Sequence, residues 1–389
     1  MPFSRRSCLL IVAVLAVVVL IAGFLLYRSV RSRVNMAGVL GEGAATALQL
    51  PPGFQANVFA QGLNGPRFMA LGPDGTIYVA DRGNGRIVAL PDADQDGVAD
   101  EIREFAADLT APHSLVYHEG AWYVGVPTGV VRLQDSDGDG VADERETIVD
   151  DYPTAGHNTR TVEFLPDGRM VVSIGSSCNV CEEEDPRRAA IVIYDGADGG
   201  GERVYASGLR NAVGLAVRPE TGELWASNNG RDLMGDNRPP EDIYLVRDGA
   251  DYGWPTCHSG DIVDPDLGSR GDCEGVAQPV VEMQAHSAPL GITFYDGEMF
   301  PAEYRGDLFI AFHGSWNRSV PTGYKVVRLP FEDGQPADAV EDFAVGWLDR
   351  RNNNAGGRPV DVLVGPDGAL YVSDDKGGYI YRISYEEAQ

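Results

Sequence analysis

Short runs of alternating apolar and polar residues, broken by turn residues, fill the chain from about residue 50 to its end. Within this region no apolar pattern with helical spacing persists for a dozen residues. The runs recur as strand, turn, strand, and the turn is Pro-Asp-Gly or a close relative. They predict an all-β body built from a repeated unit. The copies occupy residues 65–81, 111–126, 158–175, 210–230 and 357–375, with a looser one at 288–314.

The spacing of these copies indicates the architecture. Equivalent positions follow one another at intervals of 46, 47 and 51 residues and then of 79 and 68 residues. Such repeats, with several strands each, are typical of propeller blades. We therefore predict a six-bladed β-propeller over residues 51–389, closed where the C-terminal "YIYRISY" and the N-terminal "FQANVFAQ" share a blade. A β-sandwich is the alternative, but six hairpins exceed what one sandwich needs. The equivalent positions are Arg67, His113, Arg160, Asn211, Leu290 and Arg358.

The N-terminal segment has a different pattern. Residues 8–27 form an uninterrupted apolar run of 20 residues, long enough to span a bilayer. No small-residue cleavage site follows closely, so we expect an uncleaved transmembrane helix within an anchor at residues 1–35, followed by a linker at 36–50. A removed signal peptide is the alternative. Arginines on both sides of the run leave its orientation open.

Charge excludes one class of partner. The chain has 31 lysine and arginine residues against 58 aspartate and glutamate residues, a formal net charge of −27. A surface this acidic repels nucleic acid and anionic lipid headgroups, so we expect no nucleic-acid partner. Acidity also suits calcium binding or a salty environment, and composition does not separate the two.

Four cysteines form two local pairs among acidic, loop-like residues: Cys178 with Cys181, and Cys257 with Cys273. We predict two disulfides and hence an oxidising compartment. A zinc site is the alternative, but it would need a second C-x-x-C pair or suitably spaced histidines. Glu182 stands where a c-type haem motif has histidine. The disulfides place the body outside the cytoplasm, so we predict an anchored periplasmic or extracellular domain.

Two acidic segments, residues 92–101 and 135–144, have the pattern of calcium-binding loops. Both carry aspartate at alternate positions, followed by a glycine that permits a sharp turn. Counted from Asp92, the twelfth residue of the first segment is Arg103 and not glutamate, so that segment is not a complete EF-hand loop. They lie 43 residues apart at matching points of successive blades, where calcium would brace loops between blades. A solvated acidic turn is the alternative. The candidate ligands are Asp92, Asp94, Asp96, Asp100, Asp135, Asp137, Asp139 and Asp143.

Basic side chains recur at the first strand of the copies. If these strands are innermost, their entrances ring one mouth of the central channel, and four arginines meet there: Arg67, Arg160, Arg210 and Arg358. Convergent guanidinium groups in an acidic protein indicate an anionic ligand. Pairing of each arginine with a nearby carboxylate is the alternative. His157, in the turn before one of these strands, is a candidate general base.

Five segments together resemble the quinoprotein sugar dehydrogenases: "GHNTRTVEF", "GLRNAVGLA", "ADYGWP", "HGSWNR" and "GRPVDVLVGPDGALYVSDD". That family consists of six-bladed propellers that bind pyrroloquinoline quinone (PQQ) and calcium. The resemblance covers about residues 51–385 and is strongest to the sorbosone and pyranose dehydrogenase branch. It implies oxidation of a sugar by hydride transfer to PQQ, with electrons passed on to a membrane quinone or a periplasmic carrier.

The resemblance also implies roles for individual residues. His157 would take the proton of the hydroxyl at the anomeric carbon, and Arg210, with Asn211, would contact the quinone oxygens and stabilise charge on them. The backbone carbonyls of Gly230 and Arg231 would hold the catalytic calcium, a Lewis acid. Further cofactor contacts are implied for Arg67, Arg160, His313, Trp316, Arg318 and Arg358, and a second calcium for Glu241, Asp242 and Tyr252.

The chain departs from soluble glucose dehydrogenases at two positions. Gly156 stands where they have an aspartate that orients the catalytic histidine, and Val360 stands where they have a second arginine. Glucose is therefore not implied as the substrate, and the group that orients His157 is left open. Two other functions suit a propeller. One is a scaffold or binding module without cofactor, and the other is a calcium-dependent lactonase, which would need carboxylate and asparagine ligands in the channel.

Overall fold

The computed structural model describes residue 19 and residues 48–387, which fold into six antiparallel four-stranded sheets. Among these residues, no helix is long and apolar enough to cross a bilayer. Apart from residue 19, the predicted anchor at 1–35 lies outside the described part of the chain, and so does the predicted linker at 36–50 up to residue 47.

The six sheets are the blades of the propeller, and the strands of each blade follow in order from the innermost outward. Blade 1 contains Pro66–Leu71, Ile77–Asp81, Arg86–Leu90 and Arg103–Ala106. Blade 2 contains Ser114–His118, Ala121–Val126, Gly129–Gln134 and Glu144–Val149. Blade 3 contains Arg160–Phe164, Met170–Ile174, Ala190–Tyr194 and Arg203–Ala206.

The second half of the ring follows the same plan. Blade 4 contains Ala212–Val217, Leu224–Asn228, Glu241–Val246 and Val281–Met283. Blade 5 contains Pro289–Phe294, Leu308–Phe312, Lys325–Leu329 and Glu341–Ala344. Blade 6 contains Pro359–Val364, Leu370–Asp374, Tyr379–Tyr385 and, outermost, Phe54–Gln61.

Three short hairpins and two 3₁₀ turns lie in the connections of the described chain. Three are two-stranded hairpins: Cys257–His258 with Ile262–Val263, Phe331–Glu332 with Gln335–Pro336, and Leu348–Asp349 with Asn354–Ala355. Two are single 3₁₀ turns, Arg82–Asn84 and Ala302–Tyr304. The first hairpin lies between the third and fourth strands of blade 4, the second between the third and fourth strands of blade 5, and the third between blades 5 and 6. These hairpins lie within the two longer intervals of the repeat, of 79 and 68 residues, and account for part of their extra length.

The innermost strands contact one another in chain order around a closed ring, which confirms the six-bladed propeller. Closure occurs as predicted, because Phe54–Gln61 pairs with Tyr379–Tyr385 in blade 6. Phe54 adds side-chain packing to this closure. Its ring lies 4.7 to 5.1 Å from four other aromatic rings, those of Phe300, Tyr304, Phe343 and Tyr385.

The hydrophobic core is divided among the seams between blades. Six buried apolar clusters each combine side chains from two neighbouring blades. Both faces of each sheet are therefore covered, and second strands such as Ile77–Asp81 are buried at every residue. This explains why these strands have continuous apolar runs while the outermost strands, such as Glu144–Val149, are largely polar.

A seventh cluster lies in the central channel. Phe68, Val213, Leu290 and Val360 come from the innermost strands of blades 1, 4, 5 and 6, and none is more than 7% exposed. We call this cluster the apolar plug. Phe68 also lines a cavity of about 390 Å³ that all six innermost strands enclose. The plug therefore lies between this cavity and the arginine-bearing mouth of the channel.

Candidate active site

The four predicted arginines lie at the entrances of innermost strands, as the repeat pattern indicated, and not on the outer wall. Arg67, Arg160 and Arg210 are 8%, 0% and 4% exposed, and Arg358 is half-buried. Two of them pair with carboxylates: Arg67 with Asp375 at 2.7 Å and Arg210 with Asp232 at 3.0 Å. Local pairing therefore accounts for only part of the group.

The other two arginines have no ion pair within 4.0 Å among the described residues. Arg160 donates to the carbonyls of Pro153, His157 and Thr159, and Arg358 to those of His313 and Gly314. Burial is the main cause that lowers the pKa of Arg160, to about 10. Their positive charge is therefore available to an anion at the mouth of the channel.

His157 is held in one tautomer. Its Nδ1 lies 3.0 Å from both the carbonyl and the hydroxyl oxygen of Ser176. That hydroxyl donates its own proton to the carbonyl of Cys178, so Nδ1 of His157 must be the donor in both contacts. Nε2 therefore carries the lone pair, and it makes no hydrogen bond within the described chain.

The surroundings of His157 keep it neutral. Burial is the largest cause that lowers its pKa, and the nearby guanidinium groups of Arg210, Arg188 and Arg160 lower it further, to about 4. A neutral imidazole with an exposed Nε2 lone pair is the form that accepts a proton from a substrate.

Gly156 has a structural reason to be glycine. Its φ is +66°, and a Cβ on it would lie 2.3 Å from the carbonyl oxygen of Ser177. An aspartate does not fit here without movement of the backbone. The carbonyl of Ser176 provides the contact to Nδ1 of His157 that the resemblance left open.

Val360, the other departure, belongs to the apolar plug and is fully buried. A charged guanidinium group at this position would enter a cluster of apolar side chains. The sequence difference therefore corresponds to a closed channel floor.

Two basic residues at the site were missed by the repeat analysis. Arg188 donates to the carbonyls of His157 and Gly175, and Arg82 donates to the carbonyl of Ala111 and to Oδ1 of Asn158. Neither has a carboxylate within ion-pair distance in residues 48–387. Both lie outside the aligned strand entrances, and position in a repeat could not identify them.

Arg210 is the most constrained of the basic groups. Its guanidinium donates to the carbonyls of Asn179 and Asn229, to the side-chain oxygen of Asn179 and to the carboxylate of Asp232. Asn211 follows it, with its backbone N–H bonded to the side chain of Asn228. Asn179 and Asp232 were also missed, because only the folded structure brings these loops together.

Residues 230–231, whose carbonyls are predicted to bind calcium, are held in place by side-chain contacts. The carboxylate of Glu241 accepts hydrogen bonds from the N–H groups of Gly230, at 2.7 Å, and Ala288, at 3.2 Å. Burial raises the pKa of Glu241 to about 7. The side chain of Arg231 pairs with Asp264 and Asp266. No N–H or O–H of the described residues donates to the carbonyls of Gly230 and Arg231.

The predicted second calcium set is not brought together. Glu241 and Asp242 are consecutive on one strand, so their side chains point to opposite faces of the sheet. Asp242 accepts from Tyr244 and Ser259, whereas the hydroxyl of Tyr252 bonds to the backbone of Leu245 and Arg247. These three side chains have separate partners and do not form one cage, so this ligand set stays a prediction that the side-chain geometry does not support.

The loop after the second strand of blade 5 holds the remaining predicted contacts. Nε2 of His313 lies 2.9 Å from Asp375, which also pairs with Arg67 and whose pKa these neighbours hold well below its usual range. Trp316 is 39% exposed. The guanidinium of Arg318 donates hydrogen bonds to the carbonyls of Asp236, Ala285 and Val320. Arg318 therefore connects the loops that carry these residues.

The acidic segments occupy matching points between the third and fourth strands of blades 1 and 2. Ligand oxygens of three aspartates lie within 4.8 Å of one another in each: Asp92, Asp94 and Asp96, and Asp135, Asp137 and Asp139. The fourth aspartates bind backbone instead, Asp100 to Ala93 and Asp143 to Ser136. Each loop also bonds to the outermost strand of the preceding blade, through Ala99 to Phe59 and Ala142 to Phe105, both at 2.8 Å.

Both predicted disulfides are present, Cys178–Cys181 and Cys257–Cys273. The first closes a loop directly beside His157 and Arg210, through Ser176 and Asn179. Because its thiols are oxidised, a zinc site at this pair is excluded.

A protein-family model describes residues 41–382 of this sequence as DUF7133, a domain of unknown function. The chain belongs to the DUF7133 family. An uncharacterized protein of Borreliella burgdorferi is 28% identical to this DUF7133 chain over 365 residues, which cover 90% of the chain and 94% of that protein.

Relatives with a named activity include PQQ-dependent sugar dehydrogenases. The PQQ-dependent pyranose dehydrogenase of Coprinopsis cinerea is 26% identical over 398 residues, covering 85% of this DUF7133 chain and 54% of that protein. The chain thus spans about half the length of that relative. The holo form of its PQQ domain has a TM-score of 0.74 at 23% identity, with 88% of this chain and 98% of that domain covered.

The calcium structure of a Trichoderma reesei carbohydrate-active enzyme of family AA12 has the same fold. Its TM-score is 0.75 at 23% identity, and the match covers 87% of this chain and 97% of that one. The resemblance to PQQ-dependent sugar dehydrogenases is confirmed, whereas a sorbosone branch is not.

Proposed function

We propose that this DUF7133 protein is a PQQ- and calcium-dependent sugar dehydrogenase in which His157 is the general base. The observation that carries the proposal is the neutral, single-tautomer imidazole of His157 beside a group of buried arginines that are only partly paired with carboxylates. The named relatives, a PQQ-dependent pyranose dehydrogenase among them, support the cofactor and the substrate class.

The residues at the channel mouth fit a cofactor with several carboxylates. Arg160 Nε, one terminal nitrogen of Arg188 and His113 Nε2 are buried polar atoms that have no hydrogen-bond partner in residues 48–387. Buried nitrogens of this kind are costly unless a ligand bonds to them or compensates their environment. Arg67, Arg82 and Arg358 add positive charge from blades 1 and 6. We assign Arg67, Arg160 and Arg358 to the cofactor carboxylates.

The chain's own groups define the proton step. Bound PQQ supplies the hydride acceptor. Nε2 of His157 takes the proton of the sugar hydroxyl, while its Nδ1–H, held by the Ser176 carbonyl, stabilises the imidazolium that forms. Arg210 disfavours the charged imidazole, because it lowers the pKa of His157, and thereby favours release of the proton after each turnover.

The calcium assignments rest on oxygen atoms. We assign the catalytic ion to the carbonyls of Gly230 and Arg231, which are free of hydrogen bonds from described residues. We assign structural ions to the two clusters of three aspartates in blades 1 and 2, where calcium would offset mutual repulsion of the carboxylates. The contacts of these loops with the preceding blade suit a bracing role.

The cellular setting follows from the sequence and the disulfides. Two disulfides support a periplasmic or extracellular body. We propose an anchor at residues 1–35, a linker at 36–50 and the catalytic propeller at 51–389. An anchored enzyme would pass electrons to a membrane quinone or a periplasmic carrier, with a pyranose, another aldose or a sorbosone-like sugar as substrate.

The two alternatives are weaker. A scaffold without cofactor was favoured by Gly156 and Val360, yet the close approach of Ser177 and the apolar plug account for both residues. A calcium lactonase would need carboxylate and asparagine ligands in the channel, where this chain places arginine and histidine.

The test is an absorption titration of the full chain in detergent with PQQ, with and without calcium, followed by dye-linked oxidation of a panel of aldoses. We expect calcium-dependent uptake and turnover with at least one sugar. His157→Ala should retain uptake while turnover falls by about 10²- to 10⁴-fold. Asn352→Ala, in an exposed hairpin turn, is the control with unchanged turnover. Absence of quinone uptake by calcium-loaded wild type would overturn the proposal.

A further inference from the structure

The loop at residues 176–183 begins at the group that holds His157. The hydroxyl of Ser176, which contacts Nδ1 of His157, donates to the carbonyl of Cys178 at 2.7 Å. The Cys178–Cys181 disulfide then encloses two residues, one of which is Asn179. A ring this small restricts the backbone of the residues inside it. We call residues 178–181 the disulfide loop.

Asn179 makes five hydrogen bonds from this loop. Its side-chain oxygen accepts from Arg210 at 3.0 Å and from the N–H of Asp232 at 2.8 Å, while its side-chain nitrogen donates to the carbonyl of Asp232 at 3.0 Å. Its backbone carbonyl accepts from Nε of Arg210 at 3.0 Å and from the indole of Trp254 at 3.3 Å. The side-chain amide of Asn179 thus hydrogen-bonds to both the backbone N–H and the backbone carbonyl of Asp232, as a neighbouring β-strand would.

Asp232, the partner of Asn179, connects the loop of Asn179 to a further loop in blade 5. Asp232 directly follows Gly230 and Arg231, and its carboxylate accepts from Arg210 on one oxygen and from Asn317, at 2.8 Å, on the other. Asn317 lies 3.3 Å from Nδ1 of His286 in turn. Three loops from blades 3, 4 and 5 are therefore connected through the contact between Asn179 and Asp232.

We propose that Asn179, fixed by the disulfide loop, is a positioning residue that sets Arg210 and the segment 230–232 relative to His157. The inference rests on the proposed function for its catalytic meaning, but the clamp itself is a property of the cofactor-free protein. It assigns a role to the Cys178–Cys181 pair beyond general stability, because this pair determines where the side chain of Asn179 stands.

Loss of the clamp has defined consequences. In Asn179→Ala the peptide N–H and carbonyl of Asp232 lose their partners, and Arg210 loses one of its four acceptors, the side-chain oxygen, while the backbone carbonyl stays. Residues 230–232 then become freer to open locally, whereas the ion pair with Asp232 keeps Arg210 near its site. We therefore expect weaker cofactor binding and a loosened segment without loss of the fold.

Two measurements on the full chain test this. The first is hydrogen exchange of peptides covering residues 229–237 without cofactor, which should be faster in Asn179→Ala and in the double variant Cys178→Ser with Cys181→Ser. The second is the PQQ dissociation constant with calcium, which should rise about tenfold, as expected when hydrogen bonds worth about 1.4 kcal/mol are lost. Asn179→Asp keeps the acceptor for Arg210 but not the donor to Asp232, so it should restore only part of the affinity.

Asn352→Ala should change neither measurement. Wild-type exchange in residues 229–237 of Asn179→Ala would overturn the clamp, whatever the cofactor does. Faster exchange with wild-type PQQ affinity would overturn the positioning role alone. If wild type takes up no PQQ, the proposed function fails, and the exchange experiment still decides whether the clamp exists.

Discussion

At the scale of single residues, the chemistry of the site depends on where one proton sits. Ser176 provides two oxygens to Nδ1 of His157, and neither has a proton to offer, because the hydroxyl is already donating to Cys178. The orienting group is a main-chain carbonyl with a serine hydroxyl in place of a side-chain carboxylate. A carbonyl carries no charge, so it raises the pKa of the histidine less than an aspartate would, and burial dominates.

The low pKa of His157 predicts a pH response with a definite sign. The folded value, about 4, lies below the ordinary 6.5, so the unfolded state binds more protons between these values and stability rises with pH across this window. Histidine NMR of the cofactor-free protein should show one resonance, absent in His157→Ala, that titrates near pH 4. His157→Ala should also flatten the dependence of stability on pH from 4 to 6.5. A midpoint at or above 6.5 for that resonance would contradict the burial argument.

At the scale of elements, the strands were predictable and the loops were not. The Pro-Asp-Gly hairpins fixed the inner two strands of the blades, because alternation and turn residues are local signals. Strand entrances then located Arg67, Arg160, Arg210 and Arg358. Asn179, Asp232, Arg82 and Arg188 depend on contacts between distant loops, which no local pattern contains. The structure does not bring the side chains of Glu241, Asp242 and Tyr252 together, and for the first two the reason is local, since neighbours on a strand face opposite ways.

The turn before His157 gives a prediction for this scale. Gly156→Ala adds a Cβ 2.3 Å from the carbonyl oxygen of Ser177 at a φ of +66°, so we expect a loss of about 1 to 3 kcal/mol in urea denaturation. Gly120→Ala is the matched control, because its φ of +88° has open space around the new Cβ. It should lose only the part due to backbone conformation.

Gly156→Asp tests the same turn for function. Although it introduces the acid found in soluble glucose dehydrogenases, it should lower turnover below wild type, because the clash moves the backbone of His157. Equal stability losses at Gly156 and Gly120, or higher turnover in Gly156→Asp, would show that the turn tolerates the side chain.

At the scale of the whole molecule, stability depends on closing the ring. The strand Phe54–Gln61 joins the beginning of the described propeller to its end, and Phe54 packs its ring against residues of blades 5 and 6 and the connections beside them. Contacts this distant in sequence bring no stability until all the blades are in place. The repeats made the ring predictable, but they did not show which side chains would seal it.

Phe54→Ala should therefore destabilise the entire propeller. We expect a loss of about 3 to 5 kcal/mol, since a large buried ring is replaced by a cavity. Thermal or urea unfolding measures it, with Leu267→Ala, at a residue that is 38% exposed, as the control expected to change stability by less than about 0.5 kcal/mol. A similar small change in both variants would mean that the ring closes without this aromatic contact.

The apolar plug determines how small molecules can enter and leave the central channel. Phe68, Val213, Leu290 and Val360 make the bottom of the arginine-lined mouth a dead end. Under the proposed function, a sugar that enters to react would have to leave, as its oxidised product, by the way it came. The product would therefore have to leave through the channel mouth before the next sugar could enter.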